Sequence, residues 1–279
     1  MKNTLKKILS NREKNNKMLA VLLDPDKCKG RVLSGTIAAL KSDVPDFIFV
    51  GGSHTQLSID SLIELLKEEL TSEIVLFPGN VSQVSTKANA MLYLSLVSGR
   101  NAEFLIGQHV NSAVAIKKSE IEVIPTGYLL IDGDKPSSVE YMTNTRPIPR
   151  DKKEIALSTA VAAELLGMSL IYLEAGSGAN IPVSAEMIEH VSRGTSLPII
   201  VGGGIKTPEQ LTEAFEAGAD IVVVGNILEL DPSKVKELVR ATKNFGIDPY
   251  YTNSNGESWE DSEEEIEKFK RYQSFKRNL

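Results

Sequence analysis

The sequence has very few of the residues from which disulfides and metal centres are usually built. Among 279 residues there is one cysteine, Cys28, and there are three histidines. A single thiol can form neither an intrachain disulfide nor a cysteine-based zinc site, and the histidines lack the spacing of a zinc-binding helix. A lone thiol is also typical of a reducing compartment, so we predict a cytoplasmic protein.

Long apolar runs and an excess of positive charge are missing as well. No segment reaches the roughly 18 apolar residues that a membrane span requires, and the basic start of the chain, Met1 to Lys17, predicts an opening helix rather than a signal peptide. The 31 Lys and Arg against 37 Asp and Glu give a net charge of −6. This balance argues against a general nucleic-acid-binding protein, although it leaves room for a local phosphate pocket.

Three common enzyme motifs are also absent: the GxxxxGK[ST] nucleotide loop, the GxGxxG dinucleotide turn and the GxSxG nucleophile elbow. What the chain does contain is a series of eight short apolar runs. They lie at Met18–Leu23, Phe47–Val50, Ile74–Phe77, Met91–Val97, Glu122–Ile131, Leu170–Leu173, Ile199–Val201 and Ile221–Val224. Most lack polar alternation, which indicates parallel strands buried on both faces.

Helical patterns separate these runs. Leu57–Leu70 has an apolar stripe, Ile155–Leu166 stops at a glycine, and Thr207 with Pro208 forms a helix-start signal. Strands that alternate with helices predict an α/β fold, a (β/α)8 TIM barrel. We expect one barrel over residues 1–245 and a linker with a C-terminal helical extension over residues 246–279.

Two segments fit this pattern poorly. Ser98–Ile116 is compatible with one helix or with two pieces, and Asp132–Arg150 is a long polar connection with three prolines and no clear periodicity. Long loops at the carboxyl end of a barrel usually carry function or disorder.

The residues that follow each strand indicate where the chemistry lies, because barrels of this class build their active site there. Strand seven ends in Gly202–Gly204 and strand eight in Gly225-Asn226, glycine turns that allow close backbone approach to an anion. We predict a phosphate site at these turns. Plain turn glycines are the alternative.

Strand six ends in the sequence Tyr172-Leu173-Glu174-Ala175-Gly176-Ser177-Gly178, which has a single carboxylate among small residues. Glu174 is a candidate general base or hydroxyl ligand, and a structural role in capping or ion pairing is the alternative. Arg100 is either an anion clamp or a surface residue, Tyr128 lines a pocket or the core, and His109 is expected to be structural.

Strand one ends in Asp24-Pro25-Asp26-Lys27, and strand two is followed by Ser53. Two carboxylates beside a strand end, across the barrel mouth from the phosphate turns, favour a site for Mg²⁺ and a diphosphate. A turn with a helix cap is the alternative reading of the same residues.

Together these motifs carry a family resemblance. LLDPDK, GGSHT, FPGN, SLVSGRN, PTGYLLID, YLEAGSGAN, VGGGIKTPEQ and VVVGN occur in this order between Met18 and Leu228, and the chain resembles geranylgeranylglyceryl phosphate synthase. The resemblance implies a Mg²⁺-dependent prenyltransferase of ether-lipid synthesis. Such an enzyme joins geranylgeranyl diphosphate to the C3 hydroxyl of sn-glycerol 1-phosphate and releases diphosphate.

The resemblance also implies roles for particular residues. Asp24 and Ser53 would bind Mg²⁺, and Glu174 would act on the hydroxyl. Glycerol phosphate would be held by Tyr172, Leu173, Glu174, Ala175, Gly176, Ser177, Gly178, Gly203, Gly204, Gly225 and Asn226. The shorter bacterial relatives carry a lysine where this chain has Leu22, which favours the larger, archaeal-type group. A homo-oligomer, a dimer or a hexamer, is expected.

Two other classes of protein remain open on the sequence. One is a different phosphate-binding barrel enzyme, such as a sugar-phosphate isomerase or an aldolase. The other is a barrel used only as a non-catalytic scaffold.

Overall fold

A closed ring of eight parallel strands is the centre of the fold. The computed structural model describes residues 3–52 and 59–246. The strands are β1 Met18–Leu23, β2 Phe47–Val50, β3 Glu73–Leu76, β4 Ala90–Ser95, β5 Glu122–Leu130, β6 Leu170–Glu174, β7 Ile199–Gly202 and β8 Ile221–Val224. Each strand pairs with the next, and β8 pairs with β1. The predicted (β/α)8 barrel is therefore confirmed.

Some strand ends differ from the sequence-based bounds. β4 stops at Ser95 rather than at Val97, because the backbone turns there: the Val97 amide bonds to the Ser95 carbonyl at 2.8 Å and the Leu96 amide to the Phe104 carbonyl at 3.0 Å. β6 runs one residue further than predicted and ends at Glu174, which is in register with Gly202 of β7. The carboxylate is thus fixed on a strand rather than on a loop.

Helices follow the strands and cover the ring. They are α1 Thr4–Glu13, α2 Gly30–Ser42, α3 Asp60–Glu69, α4 Gln108–Lys118, α5 Ser138–Thr143, α6 Lys153–Leu165, α7 Ala185–Gly194, α8 Pro208–Glu216, α9 Asn226–Leu230 and α10 Lys234–Lys243. The predicted start of α8 is confirmed, since the Thr207 hydroxyl accepts a hydrogen bond from the Gln210 amide at 3.3 Å. None of the helices in residues 3–52 and 59–246 is long and apolar enough to cross a membrane.

The two ambiguous segments both contain helix. Ser98–Ile116 holds a π-helical turn, Glu103–Gly107, that leads directly into α4. The connection Asp132–Arg150 contains α5, whose start is capped by the Ser137 hydroxyl. Six residues are too few for a helical period to be visible in a sequence, so the prediction of an irregular connection was wrong there.

α1 closes the amino end of the barrel. The Glu122 carboxylate, at the start of β5, accepts hydrogen bonds from the amides of Thr4 at 2.9 Å and Leu5 at 3.0 Å. The Thr4 hydroxyl donates to Glu73 at the start of β3. With this end covered, the carboxyl end is the open mouth of the barrel.

Aromatic rings fill the barrel just below the mouth. The Phe77 ring centroid lies 5.2 Å from that of Tyr172 and 6.2 Å from that of Tyr128, and the two tyrosine rings are 5.3 Å apart. Three rings in mutual contact thus occupy the barrel interior at that level, and we expect a ligand to bind above them.

Residues 1–243 form one compact unit. The predicted C-terminal helix and the predicted magnesium ligand Ser53 lie outside the described residues, and both stay predictions.

Candidate active site

Four consecutive strands of the ring, β6, β7, β8 and β1, bring the predicted site residues other than Ser53 to the barrel mouth. Glu174 ends β6, while Gly203 and Gly225 follow β7 and β8 directly. Because β1 pairs with β8, Asp24 lies beside the Gly225 turn and not across the mouth from it. The expected opposition of Asp24 and the phosphate turns is therefore corrected to a neighbouring position.

The carboxylate of Glu174 lies in a space that stays open because the residues opposite it, at the end of β7, are glycines. Its Oε1 accepts a hydrogen bond from the Gly176 amide at 2.7 Å, and the residue is 6% exposed. A Cβ on Gly202 would lie 2.7 Å from Glu174 Oε2, and one on Gly203 would lie 2.5 Å from Oε1. Gly203 also has a φ of +84°, which side chains other than glycine rarely adopt. These glycines therefore leave room for the Glu174 carboxylate, in addition to any role in binding an anion.

Burial raises the pKa of Glu174 to about 7, while the Gly176 amide and the Tyr172 hydroxyl act in the opposite direction. Within the described chain, no lysine or arginine lies within ion-pairing distance of it. A carboxylate that exchanges its proton near neutral pH is suited to general base catalysis. This geometry disfavours the ion-paired structural role that the sequence left open.

The Tyr172 hydroxyl is the second polar group at the base of the site. It is buried without a hydrogen bond of good geometry, and it lies 2.4 Å from where a Cβ on Gly202 would stand, next to Glu174 Oε2. Desolvation raises the pKa of Tyr172 well above its ordinary value, with the charge of Glu174 as the next cause. A buried hydroxyl without a partner is costly, so a ligand hydroxyl that bonds to it is favoured.

The glycine turns of β6 and β8 meet above these two side chains. The Ser177 hydroxyl donates to Asn226 Oδ1 at 3.0 Å and links the two turns. Gly176 and Gly178 have φ values of +101° and +71°, and successive turns of this kind form backbone nests for anions. We call the turns Gly176–Gly178, Gly203–Gly204 and Gly225–Asn226 the glycine nest.

Two predicted members of the site, Leu173 and Ala175, have buried apolar side chains. Leu173 is fully buried and alternates along β6 with Tyr172 and Glu174, so its side chain points away from the barrel interior. Ala175 is also buried, and its amide bonds to the Gly202 carbonyl at 3.0 Å. Only the backbone of these two residues is left to contribute.

The turn after β1 has the geometry of the capping turn that the sequence left open, and the magnesium site there stays a prediction. Asp24 Oδ1 accepts a hydrogen bond from the Asp26 amide at 3.0 Å, as a turn-capping residue does. Its Oδ2 lies 3.8 Å from Lys27 Nζ, which also approaches Glu229 at 3.2 Å. No group of three or more potential metal ligands occurs in the described part of the chain. The carboxylate of Asp24 fits a Mg²⁺ that keeps most of its waters.

Other residues left open by the sequence are placed as follows. Tyr128 is buried and belongs to the aromatic cluster. Arg100 donates to the Gly99 carbonyl of its own turn at 2.8 Å and lines a polar pocket with Arg146. His109 is buried, with Nε2 3.3 Å from the Ser95 hydroxyl.

Sequence reasoning did not identify the residues of two features of the site. The first is an apolar groove that starts at Phe77 and Tyr128 and runs between the ends of β3 and β4, α4 and α5. Together with the open solvent at its mouth, the space in the groove amounts to about 970 Å³. Its walls include Val84, Leu92, Leu94, Leu96, Phe104, Ile116, Val139 and Met142. These residues lie on β4, the π-helical turn, α4, α5 and the turns at Val84 and Leu96, so no local pattern could reveal the groove.

The second missed feature is Lys135, in the connection between β5 and α5. Its Nζ lies 3.9 Å from the position of a Cβ on Gly178, and Asn226 Nδ2 lies 3.2 Å from the same point. The only signal in the sequence was a single lysine in a polar loop, which is not specific.

A barrel whose carboxyl-end glycine turns surround one buried glutamate belongs to the class of (β/α)8 barrels built to hold a small ligand at the mouth. Residues 11–243 match the PcrB family. The chain belongs to this family, and the resemblance found in the sequence is confirmed.

Named relatives come from bacteria and archaea. The chain is 48% identical to the geranylgeranylglyceryl phosphate synthase of Chitinophaga pinensis, over 84% of this chain and 93% of the relative. It is 44% identical to that of Korarchaeum cryptofilum, over 78% of this chain and 90% of the relative. The structure of the Thermoplasma acidophilum synthase, solved in complex with its substrate sn-glycerol-1-phosphate, superimposes with a TM-score of 0.80 and 33% identity. That alignment covers 86% of this chain and 98% of the other.

Proposed function

We propose that this protein transfers the geranylgeranyl group of geranylgeranyl diphosphate to the C3 hydroxyl of sn-glycerol 1-phosphate, as a step of ether-lipid synthesis. One observation carries the proposal: a buried carboxylate, Glu174, with a pKa of about 7 and no cationic partner in the described chain, lies under a glycine nest. The names of the relatives support the same substrates.

The phosphate of the glycerol substrate would rest on the glycine nest. Backbone amides there provide donors without any side chain in the way, and the Ser177–Asn226 hydrogen bond holds the turns of β6 and β8 together. With the phosphate held on these turns, the glycerol hydroxyls reach down toward Tyr172 and Glu174. Fixing one hydroxyl against the second substrate lowers the entropic cost of the reaction.

Glu174 would accept the proton of the C3 hydroxyl as that oxygen bonds to the first carbon of the prenyl chain. The bond between this carbon and the diphosphate oxygen breaks, and its electron pair leaves with the diphosphate. Tyr172, whose hydroxyl has no good partner in the described chain, would orient the glycerol. A base with a pKa near 7 is well matched to this task at neutral pH.

The geranylgeranyl chain would lie in the apolar groove. The groove begins at Phe77 and Tyr128, and both rings contact Tyr172 at the base of the site. A hydrocarbon that enters the groove therefore leaves its diphosphate end near Glu174. Burial of the chain against Leu, Val and Phe side chains provides the affinity.

Mg²⁺ dependence is part of the proposal. Asp24 would hold the ion through its carboxylate, together with Ser53 as the resemblance implies. When bound, Mg²⁺ neutralises the diphosphate leaving group. Asp24→Asn keeps the shape of the turn and removes the charge, so a loss of turnover in this variant, and in the wild type with EDTA, is the expected result. Full activity of the wild type in EDTA would contradict the metal role.

The direct test of the function is label transfer. The full chain is incubated with radiolabelled sn-glycerol 1-phosphate, geranylgeranyl diphosphate and Mg²⁺, and the product is extracted into organic solvent. We expect label in the organic phase, and less of it with sn-glycerol 3-phosphate, which presents its hydroxyls differently to Glu174. A label that stays in the aqueous phase with both substrates contradicts the proposal.

The rival functions predict other outcomes. An aldolase needs a lysine at a strand end for a Schiff base, but Lys27 forms ion pairs with the carboxylates of Asp24 and Glu229. An isomerase would bind the glycerol phosphate and ignore the prenyl diphosphate. A scaffold would turn over neither.

Self-association and a cytoplasmic location complete the proposal. α4 and the turn before it expose Ile106, Val110 and Val114 along one face, an apolar stripe of the kind that oligomer interfaces cover. Light scattering is expected to give a mass above the 30.4 kDa of one chain. A mass of one chain at micromolar concentration would contradict oligomerisation.

A further inference from the structure

The glycine nest itself carries no formal positive charge, since it consists of backbone amides, glycines, Ser177 and Asn226. A phosphate monoester brings a charge of nearly −2 to it. Backbone amides stabilise such a charge in part. A cation within reach of the nest is expected on electrostatic grounds.

One ammonium group is placed there. Lys135 Nζ lies 3.9 Å from the point that a Cβ on Gly178 would occupy, and Asn226 Nδ2 lies 3.2 Å from that point. Among the described residues, no carboxylate lies within ion-pairing distance of Lys135. Its charge is thus directed at the nest and is not neutralised by a neighbour.

The backbone that carries Lys135 packs against the residues that follow β6. The amide of Asn180 bonds to the Gly133 carbonyl at 3.0 Å, and its side-chain Nδ2 bonds to the Asp134 carbonyl at 2.8 Å. A Cβ on Gly133 would lie 2.3 Å from the Ala175 carbonyl oxygen. This contact shows how closely the loop packs on the turn after β6. Pro136 further restricts the backbone of Lys135.

We propose that Lys135 binds the phosphate of the glycerol substrate from the solvent side of the glycine nest, so that the phosphate lies between backbone amides and an ammonium group. The inference rests on the proposed function for the identity of the substrate. The Lys135 site itself takes any phosphate monoester or inorganic phosphate of matching size.

The test compares Lys135→Ala with a matched control, Lys152→Ala. Lys152 lies directly before α6 and forms an ion pair with Asp151 at 3.0 Å. Binding of sn-glycerol 1-phosphate and of inorganic phosphate to the full chain is measured by titration calorimetry at low and high salt. For Lys135→Ala we expect affinity to fall on the order of ten- to hundredfold at low salt, with a weaker salt dependence than the wild type. Lys135→Arg should keep most of the affinity, and Lys152→Ala should match the wild type.

Steady-state kinetics supply a second readout. In Lys135→Ala, the KM for sn-glycerol 1-phosphate should rise while the KM for geranylgeranyl diphosphate changes little. Wild-type affinity for both phosphate ligands in Lys135→Ala would overturn the proposal, and so would an equal loss of affinity for the prenyl substrate, which would indicate general damage. A third outcome is that calorimetry gives the expected result while neither the wild type nor any variant transfers label to the organic phase. In that case the proposed function is contradicted, and phosphate binding by Lys135 is still supported.

Discussion

Glu174 Oε1 accepts a hydrogen bond from the amide of Gly176, two residues further along the chain, at 2.7 Å. This bond ties the carboxylate to the first turn of the glycine nest. The group that would accept the proton and the backbone that would hold the phosphate are thus parts of one short segment. A substitution that shifts one of them is expected to shift the other as well. Proton transfer and phosphate binding therefore have to be measured separately in each variant.

The pH profile is the first prediction. Since burial raises the pKa of Glu174 from 4.5 to about 7, the carboxylate form that can accept a proton becomes populated as the pH rises through this value. We expect kcat/KM to rise with pH, with an apparent pKa near 7, and to level off above it. Rates measured in constant-ionic-strength buffers test this. A flat profile across neutral pH would show that Glu174 does not control the rate.

The same pKa predicts how stability depends on pH. Because the folded chain holds the Glu174 proton more tightly than the unfolded chain, the contribution of this group to stability is present at low pH. It is lost as the pH rises through the folded pKa of about 7. Urea denaturation of the wild type and of Glu174→Gln, at about pH 5 and about pH 8, measures the difference. Glu174→Gln should lack this part of the pH dependence; an identical dependence in both proteins would argue against the raised pKa.

Tyr172→Phe separates ligand binding from folding. The Tyr172 hydroxyl is buried without a hydrogen bond of good geometry, so its removal should leave the free energy of unfolding unchanged or raise it by about 1 kcal/mol. The KM for sn-glycerol 1-phosphate should increase, because the hydroxyl would bond to the glycerol. Thermal melts and initial rates check the two effects. A variant with lowered stability and unchanged KM would assign the hydroxyl to the fold.

Two glycines of the nest should respond differently to alanine. A Cβ on Gly225 would lie 3.2 Å from the Leu22 carbonyl oxygen, at a φ that any residue adopts, whereas one on Gly203 would lie 2.5 Å from Glu174 Oε1 at a φ of +84°. Gly225→Ala is expected to raise the KM for the glycerol phosphate more than that for the prenyl diphosphate. Gly203→Ala should also lower kcat and stability, because it displaces Glu174. Equal losses in the two variants would contradict this division.

α5 offers a matched pair for the apolar groove. Met142 lines the groove, whereas the adjacent Tyr141 is 87% exposed and does not. Met142→Asp places a charge where the prenyl chain would lie, so the KM for geranylgeranyl diphosphate should rise while that for the glycerol phosphate stays close to the wild type. Tyr141→Asp should leave both values nearly unchanged. If the two variants behave alike, the prenyl chain lies elsewhere.

The sequence predicted those parts of the site that lie on consecutive residues at strand ends. Glu174, Gly203 and Gly225 could be found because the carboxyl ends of parallel strands meet at one edge, whatever the detailed packing. Asp24 lies beside the nest because β1 pairs with β8 and closes the ring. The order of the strands along the chain does not show this.

The role of Lys135 and the residues that line the apolar groove could not be predicted because they depend on contacts between distant segments. Lys135 reaches the nest since Gly133 packs on Ala175 and Asn180 bonds to the loop. Similarly, Met142 reaches the groove through α5, a helix too short to leave a periodic pattern. In both cases the packing of a connection, and not its composition, decides which side chain faces the site.

The most direct measurement of the central claim is a paired one on Glu174→Gln: the dissociation constant of sn-glycerol 1-phosphate and the single-turnover rate of prenyl transfer. The variant keeps the size of the side chain and one acceptor oxygen but loses its basicity. Glu216→Gln, on the outer surface of α8, serves as the control. The account predicts little change in glycerol phosphate affinity and a rate lower by a factor on the order of 10²–10⁴. A Glu174→Gln variant that transfers the prenyl group at the wild-type rate would contradict the account.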